Sequence, residues 1–205
     1  MKAGLVGASG EDILLDKQLD YIGVDGGVEI LLKQGIMPKM VVGDFDSLTD
    51  KSLIEKIEHI RLPMRKDDTD TAVAIEYLIE KGYNEIMLYG VTGGRLDHFM
   101  AVLCLLKKYR DFHLTIMDTQ NKIYLLKSGI HKIKKEKYQY LSFFAVDKTT
   151  ITIEGCQYPL KEYELSQSDP LCVSNEIIGE ECKIKISDDI FVIQSNNKGG
   201  KQSGN

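Results

Sequence analysis

The hydrophobic pattern of the chain changes near residue 120. Before that point, short apolar runs alternate with stretches in which apolar residues recur every three to four positions, as in strands that alternate with helices. The pattern predicts strands at 21–24, 39–42, 85–89 and 114–117, and helices at 27–35, around 53–57, at 71–81 and at 96–106. We expect the last helix to be buried on two sides, because two of its faces are apolar. The alternation predicts an α/β domain with a mainly parallel sheet.

Beyond residue 120, short β-branched or aromatic runs are separated by turn residues. They predict strands at 123–125, 140–146, 149–153, 171–173, 182–186 and 190–193. Such close spacing is typical of a small antiparallel sandwich or barrel, of which we favour the β-sandwich. The predicted domains are therefore an α/β domain at 1–120 and a β-sandwich domain at 121–195, followed by a polar, Gly-rich and flexible tail at 196–205.

Composition excludes several classes of protein. The 205 residues include 26 basic and 31 acidic side chains, a net charge of −5, which argues against binding nucleic acid through a basic face. No apolar run reaches the roughly 18 residues that span a membrane, and residues 1–7 lack the apolar region of a signal peptide, so we expect a cytoplasmic protein. The cysteines are too far apart for a typical zinc site or disulfide framework, and we expect them to be small buried residues: Cys104, Cys156, Cys172 and Cys182.

Several aspartates lie in short clusters next to predicted strands and helices. The first cluster, Gly43-Asp44-Phe45-Asp46-Ser47, follows the strand at 39–42. Two carboxylates two residues apart, in a loop that leaves the carboxyl end of a strand, can converge on one cation. Mg²⁺ fits best, since it prefers carboxylate oxygens and completes its shell with water and phosphates. The alternative is a turn and a helix cap, which accounts well for one aspartate and poorly for two.

The second cluster is Lys66-Asp67-Asp68-Thr69-Asp70-Thr71, directly before the helix at 71–81. Capping of the helix N-terminus is the simplest explanation, but one cap needs only one such residue. The excess of carboxylates indicates a cation, and Lys66 could neutralise part of the charge or contact a phosphate.

The third cluster runs from Gly90 to His98 and contains Gly93-Gly94-Arg95-Leu96-Asp97 between a strand and a helix. Glycines and a helix N-terminus can approach an anion closely, and Arg95 adds a charged fork for phosphate oxygens. Asp97 could cap the helix or complete a metal site, and His98 is more simply structural than catalytic. The glycines are not followed by the Gly-Lys-Ser/Thr ending of a P-loop.

A fourth loop, Asp25-Gly26-Gly27, also leaves a strand and opens a helix. All four loops are expected at the carboxyl edge of one parallel sheet. Carboxylates for Mg²⁺, an arginine and glycine N–H groups are together typical of polyphosphate chemistry.

In this order, the four loops closely resemble those of the thiamine pyrophosphokinase family. The later segments Gly155-Cys156-Gln157-Tyr158-Pro159-Leu160 and Val173-Ser174-Asn175-Glu176 resemble the C-terminal domain of that family. The resemblance covers about residues 20–195 and implies transfer of the pyrophosphoryl group of ATP to thiamine, which gives thiamine diphosphate and AMP. It further implies a homodimer that binds thiamine between the α/β domain of one subunit and the β domain of the other.

The resemblance also assigns roles to individual residues. It implies Asp44, Asp46 and Asp70 as Mg²⁺ ligands, with Asp97 as a further acidic catalytic group. Thr69 and Arg95 resemble phosphate contacts, and we assign other residues of the same loops to the ATP site: Asp25, Gly26, Gly27, Lys66, Asp67, Gly93 and Gly94. The segment that contacts thiamine is matched by Ser174 and Asn175, and Tyr158 stands where animal members carry a tryptophan that packs on thiamine.

Two other functions remain open at the level of sequence. Asp44 and Asp46 form a D-x-D motif like that of haloacid-dehalogenase phosphatases, in which the first aspartate is a covalent nucleophile. That motif usually opens the chain and is followed by a small residue and then Thr or Val, whereas here Leu48 follows Ser47. The second alternative is a nucleotide sensor without catalytic activity, which would not need three carboxylate clusters.

Overall fold

The computed structural model describes residues 1–9, 15–43, 57–61 and 68–197. The chain divides into two compact units, Met1–Thr119 and Gln120–Asn205, which we call the α/β unit and the β unit. The predicted tail lies outside the described residues except for positions 196 and 197.

The α/β unit is built on a parallel sheet in which β1 is central. Strand order is β4-β3-β2-β1-β5-β6, and each neighbouring pair is parallel, which confirms the predicted α/β class. The elements in chain order are β1 (Lys2–Val6), β2 (Asp20–Val24), α1 (Gly27–Lys33), β3 (Met40–Gly43), β4 (Glu58–Arg61), α2 (Asp70–Glu80), β5 (Glu85–Tyr89), α3 (Leu96–Lys108) and β6 (His113–Met117).

Helix α2 follows the sequence pattern closely. Thr69 caps its N-terminus, and Ala72, Ile75 and Leu78 are almost completely buried along one face. Gly82 has φ of 85°, a left-handed conformation that ends the chain's helical path.

Helix α3 departs from the prediction of burial on two sides. Val102, Leu105 and Leu106 are buried, but Leu96 is 78% exposed and Met100 is 57% exposed. The second apolar face is therefore only partly covered in the single chain, since Phe99 and Leu103 on it are half-buried. Cys104 lies on this helix and is exposed, so the expectation that all four cysteines are buried is wrong for Cys104 and confirmed for the other three.

The β unit consists of two antiparallel sheets, with strand orders β7-β13-β9 and β11-β10-β12-β8. Phe143 and Val192 from the first sheet belong to one hydrophobic core with Ile151, Leu165 and Ile184 from the second, which confirms the predicted sandwich. Its strands are β7 (Asn121–Leu126), β8 (Gly129–Lys134), β9 (Tyr140–Ala145), β10 (Lys148–Glu154), β11 (Leu160–Ser166), β12 (Glu181–Ile186) and β13 (Ile190–Ser195).

Several strands differ from the sequence prediction. The sequence pattern does not predict four of the observed strands: β1, β4, β8 and β11. The strand predicted at 171–173 is wrong, since residues 171 and 172 form a turn. The helix predicted around 53–57 lies outside the described residues except for Ile57, which directly precedes β4. Within the described part of the chain, no helix is both long and apolar enough to cross a membrane.

The first residue of α1 lies directly against the end of β1. A Cβ atom added to Gly27 would overlap the carbonyl oxygen of Val6 and lie 3.2 Å from the carbonyl carbon of Gly7. Only glycine allows the helix to begin this close to the central strand. Gly27 therefore has a packing role that is independent of any ligand.

Substitution of Gly27 tests this packing. Gly27→Ala is expected to lower the free energy of unfolding by about 3 kcal/mol, because the methyl group meets backbone that cannot move aside easily. Urea denaturation measures the change. Gly179→Ala is the matched control, since no atom lies within 4 Å of its added Cβ. Equal stability of the two variants would contradict the packing role of Gly27.

Candidate active site

The described candidates of the α/β unit gather at the carboxyl edge of its sheet. Asp25 follows β2, the loop from Gly90 to Arg95 follows β5, and Thr69 with Asp70 opens α2. A crossover helix runs back against the strands, so its N-terminus lies at the edge where ligands of open parallel sheets bind. The other predicted residues lie outside the described residues: Asp44, Asp46, Lys66 and Asp67.

The end of β1 contributes a loop that the sequence analysis missed. The amide of Gly7 donates to the carbonyl of Tyr89 at 2.8 Å, and the amide of Ser9 donates to the carbonyl of Gly90 at 2.9 Å. A Cβ on Gly94 would lie only 2.6 Å from the Ser9 hydroxyl oxygen. The loop after β1 thus packs against the Gly-rich loop after β5. The apolar run Ala3–Val6, followed by small residues, was the signal that could have revealed it.

Asp25 lies beside the start of the first aspartate cluster. Its amide donates to the carbonyl of Val42 at 3.0 Å, and its backbone has φ of 48°. A Cβ added to Gly43 would overlap the Asp25 carboxylate, so this carboxylate lies against the peptide that leads to Asp44. The structure therefore brings Asp25 to Gly43, the residue that precedes the predicted ligand Asp44 in sequence.

The described residues of the second cluster differ in their contacts. The Thr69 hydroxyl oxygen accepts a hydrogen bond from the amide of Ala72 at 3.2 Å, so the capping interpretation is confirmed for this residue. Its hydroxyl hydrogen can still be donated to a phosphate. Asp68 forms an exposed ion pair with Lys108 at 3.6 Å. Asp70, half-buried in the first turn of α2, is the remaining described carboxylate.

Arg95 and Asp97 pair with each other at the start of α3. The guanidinium donates from Nε to Oδ1 at 3.1 Å and from Nη2 to Oδ2 at 2.6 Å. This bond from Arg95 lowers the pKa of Asp97 to about 2. Arg95, rather than Asp97, occupies the N-cap position, and its side chain makes no capping bond. Both side chains are exposed, so a phosphate could compete for the guanidinium.

Thr92 fixes the middle of the Gly-rich loop to the next strand. Its hydroxyl donates to Oδ2 of Asp118 at 2.7 Å. Asp118 directly follows β6 and is a further carboxylate at the same edge that sequence analysis did not identify. Its position after the apolar strand 113–117 was the available signal. The bond positions the loop that carries Gly93, Gly94 and Arg95.

In the β unit, the predicted thiamine contacts lie together. Asn175 is only 4% exposed, and its side-chain amide bonds to both backbone groups of Tyr158. Oδ1 accepts from the Tyr158 amide at 3.0 Å, and Nδ2 donates to the Tyr158 carbonyl at 2.8 Å. Oδ1 also accepts from the amide of Glu176 at 2.9 Å. Asn175 therefore positions Tyr158, whose side chain is 61% exposed.

Ser174 lies next to this pair in a left-handed backbone conformation, with φ of 59°. Its backbone amide donates to the hydroxyl oxygen of Ser142 at 3.0 Å. Ser174 itself is exposed. Leu171 and Val173 are also exposed nearby in sequence, at 56% and 43%. An aromatic ring, a hydroxyl and apolar surface form a suitable platform for an aromatic ligand.

The described carboxylates suit a hard cation. Asp25, Asp70 and Asp118 offer only oxygen donors at the carboxyl edge, and Mg²⁺ prefers such donors. Within the described ranges, no three His, Cys, Asp or Glu side chains are close enough to form a metal site. Asp44 and Asp46 lie outside those ranges, so their role as ligands stays a prediction.

Comparison with known proteins identifies the family. The model for the catalytic domain of thiamin pyrophosphokinase matches residues 12–117, and the model for its vitamin B1 binding domain matches residues 130–191. The chain belongs to the thiamin pyrophosphokinase family. Members of this family are kinases, and the protein is accordingly a transferase. Both matches also decide against the phosphatase and the nucleotide sensor as alternatives.

Individual family members agree with this assignment. Thiamine pyrophosphokinase of Bacillus subtilis is 37% identical over 173 residues, which cover 80% of each chain. The crystal structure of the Bacillus subtilis enzyme has a TM-score of 0.88 at 28% identity and covers 97% of this chain and 100% of that chain. The thiamin pyrophosphokinase of Geobacillus thermodenitrificans has a TM-score of 0.87 at 30% identity, with 97% and 99% covered.

Removal of the Asn175 side chain tests its positioning role in this pyrophosphokinase. Asn175→Ala is expected to lower the free energy of unfolding by about 2 kcal/mol, because it leaves partly buried backbone groups of Tyr158 and Glu176 without these partners. Thermal or urea unfolding measures the loss. Asn197→Ala is the control, since its amide makes one exposed bond to Tyr140 at 3.1 Å. If Asn175→Ala were as stable as the control, the bonds to Tyr158 would not be structural.

Proposed function

We propose that the protein catalyses Mg²⁺-dependent transfer of the pyrophosphoryl group of ATP to the hydroxyl of thiamine, which gives thiamine diphosphate and AMP. The observation that carries the proposal is the match of both family models, catalytic and vitamin B1 binding, in that order along the chain. The gathering of acidic and Gly-rich loops at one sheet edge supports it, because polyphosphate transfer needs these groups together.

In this proposal, Asp44, Asp46 and Asp70 hold Mg²⁺, and Asp97 is a further acidic group of the site. ATP brings about four negative charges to an edge that is already rich in aspartate, so the complex would repel itself without a cation. Bound Mg²⁺ would neutralise phosphate charge and orient the phosphates for in-line attack. The oxygen-only chemistry of the described carboxylates supports this choice of metal.

The phosphate contacts are assigned to Arg95, to Thr69 and to the glycine loops. The Arg95 guanidinium has five N–H donors, of which the bond to Asp97 uses two. The remaining donors can bind phosphate oxygens while Asp97 holds the guanidinium in place. Asp25, Gly26, Gly27, Gly93 and Gly94 line the same edge, and Lys66 and Asp67 complete the set as predicted from sequence.

Thiamine is assigned to the β unit. The exposed Tyr158 ring offers a face for stacking, and Ser174 offers a hydroxyl for a polar group of the ligand. Asn175 acts through Tyr158, since its amide is already bonded to that residue's backbone. Because the substrate hydroxyl attacks directly, no nucleophilic side chain is required.

A product assay tests the reaction. Incubation with ATP, MgCl₂ and thiamine is expected to yield equal amounts of AMP and thiamine diphosphate, measured by chromatography, and EDTA is expected to stop turnover. Asp46→Asn should lower activity by about 100-fold or more, since even groups that only support a metal ligand change activity 10–100-fold. Glu180→Gln, an exposed control far from the cluster in sequence, should keep wild-type activity.

Two outcomes of that assay would contradict the proposal. Formation of ADP with thiamine monophosphate would exclude pyrophosphoryl transfer. Wild-type activity of Asp46→Asn would exclude Asp46 as a metal ligand, whatever the products are.

We further propose a homodimer in which each thiamine site uses the α/β unit of one subunit and the β unit of the other. The support is the family resemblance alone. Co-expression of Asp70→Ala and Tyr158→Ala chains then gives heterodimers with one intact site. At thiamine concentrations below KM, activity should recover to about a quarter of wild type, since half of a random mixture is heterodimer. If each site lies within one chain, the mixture will only average the activities of the two variants.

A further inference from the structure

A cavity of about 340 Å³ opens at the opposite edge of the α/β sheet, where the strands begin. Its walls come from the start of β2, the residue before β3, the last turn of α2 and the loop that follows α2. The residues that shape it are Asp20, Ile22, Lys39, Tyr77, Lys81 and Tyr83. Its volume is at the lower end of the range for ligand sites and suits a molecule with one ring.

One wall combines an aromatic ring with an ammonium group. The Lys81 ammonium lies 5.1 Å from the centre of the Tyr77 ring. Among the residues that the structure describes, no carboxylate pairs with Lys81. This lysine therefore offers its charge to a ligand, and the ring beside it offers an apolar face.

The other charged groups that line the cavity are neutral as a whole. The Lys39 ammonium lies 2.9 Å from Oδ2 of Asp20, and the Tyr83 hydroxyl donates to the same oxygen at 2.6 Å. The bond from Tyr83, together with Lys39, holds the pKa of Asp20 below its usual range, and the same bond raises the pKa of Tyr83 to about 12. Asp20 is thus ionised but compensated, and Lys81 supplies the remaining positive charge of the cavity.

We propose that this cavity binds a small planar anion, namely one aromatic ring that carries a single carboxylate or phosphate group. The ring lies against the tyrosines, and the anionic group contacts Lys81. The nearby C-terminus of α2 opposes an anion less than an uncapped helix end would, because two carbonyls of its last turn accept hydrogen bonds. Gly82 donates to the carbonyl of Ile79 at 2.9 Å, and Tyr83 donates to that of Leu78 at 3.0 Å.

The cavity is separate from the candidate active site but shares two elements with it. Helix α2 has 11 residues, so its two ends are roughly 16 Å apart. Thr69 and Asp70 lie at one end, and Tyr77 and Lys81 lie at the other. Strand β2 likewise begins with Asp20 at the cavity, and Asp25 follows its other end at the active-site edge. Binding at this cavity is therefore not expected to compete with ATP or thiamine.

Isothermal titration calorimetry with the full chain tests the proposal. Phenyl phosphate and benzoate are expected to bind, and comparison of the two shows which anionic group is preferred. Benzamide, which lacks the charge, and acetate and inorganic phosphate, which lack the ring, should bind about tenfold more weakly or worse. Saturating ATP and thiamine should leave the affinity for benzoate unchanged.

Substitutions locate the site. Lys81→Met should weaken benzoate binding about tenfold or more, and Lys81→Arg should keep it within about threefold because the charge remains. Lys33→Met is the matched control, an exposed lysine in the last turn of α1, and should not change binding. Melting temperatures of all three variants show whether a loss of binding reflects a loss of folding.

Three results would overturn the proposal. Benzamide could bind as tightly as benzoate, a folded Lys81→Met protein could bind benzoate normally, or ATP could displace benzoate. None of these results depends on turnover, so the proposal can fail while the pyrophosphokinase reaction is confirmed, or hold if that reaction is not.

Discussion

The close packing around the carboxyl end of β1 is the constraint on which the α/β unit depends. Three glycines allow neighbouring segments to approach this strand end without side chains between them. Gly27 brings the start of α1 onto the carbonyl of Val6, Gly7 lies against the carbonyl of Gly90, and Gly94 leaves room for the hydroxyl of Ser9. The loops after β1, β2 and β5 are therefore held next to one another. A binding site formed by these loops is positioned by backbone contact, which is more rigid than contact between long side chains.

Charge at this edge is arranged in pairs as well as in clusters. The net charge of −5 suggests that the protein repels polyanions. Two of the described acidic residues in the clusters, however, have cationic partners. Asp97 is bonded by Arg95, and Asp68 is paired with Lys108. These pairs reduce the local excess of negative charge before any ligand binds. A cation bound at this edge would have its greatest effect on carboxylates that lie close to it.

In the β unit, hydrogen bonds to the backbone hold the exposed aromatic residue Tyr158 in one place. A tyrosine that is 61% exposed gains little from packing, and its orientation must come from its backbone. Asn175 fixes the orientation of this backbone, because its buried side chain forms hydrogen bonds with both the amide and the carbonyl of Tyr158. A neighbouring β-strand would form the same kind of bonds. The side-chain amide of Asn175 holds Tyr158 more firmly from this buried position than it would from the surface, because water competes less for its hydrogen bonds.

The sequence by itself determined the fold class, with a mainly parallel α/β part followed by an antiparallel β part, and it predicted the loops of the candidate site. Apolar periodicity, the cap at Thr69 and the turn at Gly82 are local properties, so helices and most strands could be read from short windows. The tertiary structure decided what each side chain contacts, because those partners come from distant parts of the chain or depend on local geometry. The bonds of Asn175 to the backbone of Tyr158 and of Asp97 to Arg95 could not be read from the sequence, while the roles of Asn175 at thiamine and of Asp97 at a metal stay predictions. Burial and close approach depend on which elements become neighbours. The sequence therefore could not predict the exposed residues of α3 or the packing of the Ser9 loop on Gly94.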